Sequence, residues 1–173
     1  MHLAYVIKNE RGATDLILTE FAQNRLQNGY RVAGVVQTNS AKPDTHHCDM
    51  DVQVLPDGPS YRISQSLGKE ARGCRLDTSA LELSVAALEH SLTKTPELLV
   101  INKFGKHEAD GRGFREVIAK CLADGIPVLV GVNQLNYEAF LDFSGDLAQQ
   151  ISPDIDALSD WLDATQTHVE HAA

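Results

Sequence analysis

The first forty residues constrain this chain most. Residues 3–8 read Leu-Ala-Tyr-Val-Ile-Lys, an apolar run of the length of one buried strand. A polar turn, Asn9-Glu10-Arg11-Gly12-Ala13, follows, and then apolar positions recur at Leu16, Ile17, Phe21, Ala22 and Leu26 with helical spacing. Gly29 stands where a helix usually ends, and Arg31–Gln37 is a second apolar run. Strand, loop, helix and strand in this order make a βαβ unit. A helical crossover joins parallel strands, so the chain is expected to build a parallel sheet with helices on both faces.

Residues 39–73 break that rhythm with Pro43, Pro56, Gly58, Pro59, Gly68 and Gly73. Within them Met50–Leu55 alternates, which predicts a half-exposed strand in an antiparallel hairpin inserted around residues 48–64. Regular order resumes after Cys74: a helix capped by Asp77, Thr78 or Ser79, a strand over 97–102, and a glycine-bearing loop from Gly105 to Gly113. A helix over 114–123, a strand over 127–132 and short helices around 136–140 and 155–162 complete the pattern. The expectation is one three-layer α/β domain over residues 1–163, with a frayed tail over 164–173.

Charge narrows the partners. A formal net charge of −9 argues against general nucleic-acid binding, which needs a basic face to neutralise phosphates. It leaves room for a small anionic ligand, because local dipoles and a few cations suffice for one phosphate-sized group. No apolar run approaches the roughly 18 residues of a membrane span, and the N-terminal residues lack the marks of a signal peptide. Membrane insertion is therefore not expected, and the cytoplasm is the expected location. Three cysteines, Cys48, Cys74 and Cys121, are too few and too scattered for a disulfide framework.

Open parallel sheets bind ligands beyond the carboxyl ends of their strands. Three polar segments stand at such ends: Lys8–Asp15, Gln37–Asn39 and Asn102–Arg112. The first can be compared with the phosphate-binding pattern G-x-x-x-x-G-K-[ST]. With Gly12 as the second glycine, Ile7 takes the place of the first, Ala13 that of the lysine and Thr14 that of the Ser/Thr. The loop keeps a glycine, a hydroxyl and a helix N-terminus, whose first N–H groups have no intrahelical acceptor. It has lost its central cation. Lys8 either substitutes for that cation from the second motif position or is an ordinary strand-end lysine. Thr14 either meets an anion or metal, or caps the helix; Asn9 and the amides near Arg11 complete the candidate cradle.

Asn102 stands where a Walker-B carboxylate would hold magnesium's water shell, and a neutral amide lacks the charge such a cation favours. Glu108, a few residues on, either activates a water or pairs with Lys106 or Arg112. In the insertion, His46, His47 and Cys48, with Cys74 beyond it, offer borderline and soft metal ligands; the alternative is a polar loop with a partly buried cysteine.

The segments Gly12–Leu16, Gly34–Gln37, Gly73–Asp77 and Leu99–Glu108 together resemble a bacterial domain family of unknown function whose genes are often found beside molybdenum-transport genes. That family is similar to the THEP-type nucleoside triphosphatases, which implies a P-loop-like fold. A THEP-type enzyme carries the full glycine-lysine-threonine loop and an Asp-Glu-x-Gly-x-x-Glu segment; here Gly105 and Glu108 match, whereas Ala13 and Asn102-Lys103 depart. The departures imply impaired or absent hydrolysis, since phosphoryl transfer relies on the lysine and magnesium. The resemblance implies a nucleotide- or oxyanion-binding protein in molybdate or tungstate handling, with Lys8, Arg11, Thr14, Gln37, Arg75 and Lys103 around the ligand. The alternatives are a weak magnesium-dependent triphosphatase and a metal-binding or interaction module. Expected protein partners are a second copy of the chain or a molybdenum-transport component.

Overall fold

A computed structural model describes residues 1–41, 48–65 and 76–170. Its strands are β1 (Leu3–Val6), β2 (Val32–Ala41), β3 (Cys48–Leu55), β4 (Ser60–Arg62), β5 (Leu98–Phe104), β6 (Val128–Val132) and β7 (Ala148–Gln150). Its helices are α1 (Ala13–Gln27), α2 (Thr78–Ser91), α3 (Lys106–Ala109), α4 (Arg115–Ala123), α5 (Tyr137–Ser144) and α6 (Ile155–Glu170). All the strands form one sheet in the order β4-β3-β2-β5-β6-β1-β7. From β2 to β7 every neighbouring pair is parallel, while β3 and β4 add an antiparallel hairpin at the β2 edge.

The apolar runs divide their side chains between two faces, as strands buried on both sides must. On one face Val6, Val36, Val100 and Leu129 pack with Leu18 and Phe21 of α1 and Leu158 and Leu162 of α6. On the other, Tyr5, Val35, Ile101 and Val130 pack with residues of α2, α4 and α5, including Leu88, Ile118 and Phe140. The expected three layers and the inserted hairpin are both present.

Several boundaries differ from those expected. β2 continues through Thr38, Asn39 and Ser40 because β3 pairs with it from Gly34↔Leu55 to Ala41↔Cys48, so a backbone ladder carries residues with little strand preference of their own. β5 extends to Phe104, which is wholly buried and pairs with Val132 after a register shift. β7 carries Ala-Gln-Gln, with no apolar run to announce it, and is fixed by pairing with β1. The tail expected to fray from Thr165 is helical to Glu170: Thr165 is buried, and its hydroxyl donates to the Leu162 carbonyl at 2.6 Å.

Candidate functional site

The loop from β1 to α1 turns on Gly12, whose φ of 78° lies in the left-handed region that a side chain disfavours. That turn brings the chain into α1 without a side-chain cap. The Ala13 N–H donates to the Glu10 carbonyl at 3.1 Å, and the Lys8 N–H donates to Thr14 Oγ1 at 3.1 Å. Thr14 thus stitches the two ends of the loop together rather than capping the helix. Its own hydroxyl proton stays available as a donor.

A cleft of about 950 Å3 lies between α1, the end of β2, the start of β3 and Lys103. Arg11, Gly12 and Lys103 line it together with Asp15, Gln37 and Asn39. The three strand-end segments singled out in the sequence therefore do meet. Asp15 is only 5% exposed. Its Oδ2 accepts a short hydrogen bond from Asn39 Nδ2, whose Oδ1 in turn accepts from Gln37 Nε2 at 2.8 Å. The Asn102 amide satisfies both of its ends when its nitrogen faces Asp15 Oδ1 at 3.2 Å and its oxygen accepts from the Gln37 N–H. Gln37, Asn39, Asp15 and Asn102 thus close a ring of hydrogen bonds in which the amides donate to the carboxylate. Burial pushes the Asp15 carboxyl above the usual aspartate range, opposed by the Lys103 ammonium and the Asn39 hydrogen bond.

Glu108 has a different set of partners. Its Oε2 accepts from the Gly105 N–H at 2.9 Å and its Oε1 from the Phe114 N–H at 3.2 Å, so both carboxylate oxygens hold the 105–114 loop. Gly113, at φ 60°, passes so close that an added Cβ would collide with Glu108 Oε1. Burial raises the Glu108 carboxyl, and the backbone donors pull it back. His107 beside it is buried, with Nε2 2.6 Å from Glu82 Oε1 on α2, and Glu82 Oε1 also accepts from the Gly113 N–H at 3.1 Å. Glu108 does not line the cleft, and neither Lys106 nor Arg112 is its hydrogen-bond partner.

Of the other residues predicted for the site, Lys8 and Asn9 lie on the β1–α1 loop and Ala13 and Thr14 in the first turn of α1, none of them lining the cleft, and Asn102 is joined to it through Asp15 and Gln37. Cys48 lines the cleft at the start of β3, whereas His46, His47, Cys74 and Arg75 lie outside the described residues. Among the described residues no group of three or more His, Cys, Asp or Glu side chains could hold a metal ion. Cys121 is buried in the core, its thiol pushed up to about 11, chiefly by burial. Asp15 is among the cleft residues that the sequence did not assign to the site. An aspartate in the first turn of a helix ordinarily favours the helix dipole from the surface, and only the neighbouring strands bury this one.

A parallel sheet in this order, with a glycine-turned loop leading from β1 into the first helix, is the fold of the P-loop nucleoside triphosphatases. The structure matches the solution structure of a human cancer-related nucleoside triphosphatase with a TM-score of 0.56 at 16% identity, over 99% of this chain and 98% of that one. It matches the crystal structure of THEP1 from the hyperthermophile Aquifex aeolicus with a TM-score of 0.58 at 14% identity, over 95% and 96% of the two chains. The chain itself belongs to DUF2478, described as a protein family of unknown function, whose pattern matches residues 3–161. It is also 32% identical over 170 residues to the molybdenum import ATP-binding protein ModC 2 of Bradyrhizobium diazoefficiens. That match takes in 97% of this chain and 19% of the relative, so the chain spans about a fifth of that protein's length.

Proposed function

We propose that this chain is an anion- or nucleotide-binding module on a P-loop fold, serving molybdenum import, with hydrolysis impaired or absent. One observation carries the reading: Arg11, Gly12 and Lys103 line a single cleft beside the N-terminus of α1. Two side-chain cations and the positive end of a helix dipole are a suitable environment for a phosphate-sized anion. Impaired hydrolysis rests on Ala13 in place of the loop lysine, Asn102 in place of the magnesium-holding carboxylate, and the engagement of Glu108 with backbone amides. The molybdenum setting rests on the relative named for molybdenum import. No helix among the described residues is long and apolar enough to cross a membrane.

The test is thermal unfolding of tag-free protein against ATP, GTP, phosphate, sulfate, molybdate and tungstate, each with and without magnesium. A ligand at about a hundred times its dissociation constant stabilises the folded state by about 2.7 kcal/mol, which is readily measured. A shift with at least one of them is expected. No shift with any would remove this reading.

A weak magnesium-dependent triphosphatase has one observation in its favour. Asp15 places a carboxylate oxygen 3.2 Å from the Asn102 amide, beside the strand position where a magnesium-holding acid is absent. It predicts magnesium-dependent phosphate release that Asp15→Asn abolishes. Release no faster than in a buffer blank eliminates it.

A further inference from the structure

An anion entering the cleft meets a carboxylate. Asp15 lines the cleft and is 5% exposed, so water screens its charge poorly. The amides of Asn39 and Asn102 orient the carboxylate by donating to it, and Lys103 is the cation that acts on it. Among the described residues, the other ionisable groups facing the cleft are Arg11 and Glu20 on the α1 side and Cys48 on β3. An oxyanion that presents only lone pairs would set acceptor against acceptor at Asp15. An oxyanion that carries a proton would instead donate it in a short, charge-assisted O–H···O− hydrogen bond, among the stronger hydrogen bonds a protein makes. Its remaining oxygens would take Arg11, Lys103 and amides of the first turn of α1 beyond Ala13, whose own N–H is taken by Glu10.

We infer that Asp15 is a specificity determinant that admits proton-bearing tetrahedral anions, namely inorganic phosphate or a phosphomonoester, over sulfate, molybdate and tungstate. The inference rests on the anion-binding reading above and names the ligand class for that same cleft. Near neutral pH phosphate keeps a proton, and a phosphomonoester with its second pKa near 6 is protonated in part. Sulfate, molybdate and tungstate are fully deprotonated there and have no proton to give. Within molybdenum import the cleft would then read a phosphate-bearing ligand, and the metal oxyanion itself would be handled elsewhere.

The experiment is calorimetric titration of the whole chain, near pH 7 and repeated near pH 5, with inorganic phosphate, AMP, sulfate and molybdate. For the wild type, phosphate or AMP should bind at least ~10-fold more tightly than sulfate or molybdate near pH 7, the scale of one hydrogen bond to a charged group. The stronger of phosphate and AMP identifies the source as the free ion or the ester. As the pH is lowered the ratio of phosphate to molybdate affinity should narrow, because burial favours the neutral Asp15 carboxyl, and once protonated it can itself donate to a bare oxyanion. Asp15→Asn, which supplies an amide donor at nearly the same shape, should collapse the ratio and raise sulfate and molybdate affinity. The wild-type ratio and its narrowing with pH stand as tests even where that variant folds poorly. Equal affinity of the wild type for phosphate and molybdate, or an unchanged ratio in the variant, overturns this inference and leaves the anion-binding reading in place. Binding of none of these anions overturns both.

Discussion

Asp15 and Glu108 are both nearly shielded from solvent, at 5% and 3% exposure, yet their partners give them different chemistry. Glu108 meets backbone amides and acts as a fastener; Asp15 meets side-chain amides beside a cleft. Burial raises both carboxyls above their ordinary values of 3.8 and 4.5. Between the unfolded and the folded pKa the folded chain therefore binds more protons than the unfolded one. The stabilising contribution of each group is fully present below its unfolded pKa and is lost as pH rises through its folded pKa. Asp15→Asn should accordingly gain stability relative to wild type between acid pH and pH 7, read as the difference in urea midpoints across pH. A difference that falls as pH rises would contradict this. Glu108→Gln gives up a charged acceptor for backbone amides and should cost about 1–3 kcal/mol of unfolding free energy while leaving anion affinity unchanged.

Among the elements, those marked by an apolar run or by helically spaced apolar positions between turn residues were legible in the sequence: β1, α1, β6 and the body of α2, whose N-cap is Asp77, accepting from the Ala80 N–H at 3.0 Å. Elements fixed by pairing were not. The polar half of β2 exists because β3 lies against it, and β7 because β1 does. The same division applies to the site. The meeting of three strand ends follows from parallel topology, so Arg11, Gln37 and Lys103 could be named from their positions. The role of Asp15 depends on Asn39 and Asn102 closing over it, and side chains so distant in sequence leave no local pattern. The short α3 is held in place by backbone contact with Glu108 and by Gly113. Gly113→Ala should destabilise the protein by about 1–3 kcal/mol, because the new Cβ meets Glu108 Oε1 in a backbone conformation that suits glycine. Unchanged thermal unfolding of that variant would show that the loop can move aside without cost.

At the scale of the whole molecule, the candidate cleft lies at the junction between two kinds of sheet. On one side is the parallel core common to the P-loop fold; on the other is the antiparallel β3–β4 hairpin, whose first residues, Cys48 and Met50, complete the wall. The order of pairing also carries a consequence for how the protein is made. β1 precedes the other described strands along the chain, yet its neighbours are Val128–Gly131 and Ala148–Gln150. At elongation rates of about 5–20 residues per second, the strand that leads into the Gly12 loop waits on the order of ten seconds for both flanks to emerge. During that interval an apolar segment has no partner, and its loop has no fixed geometry. The cleft is therefore a late product of synthesis: a nascent chain halted before β7 should neither hold the anion nor be rescued by it.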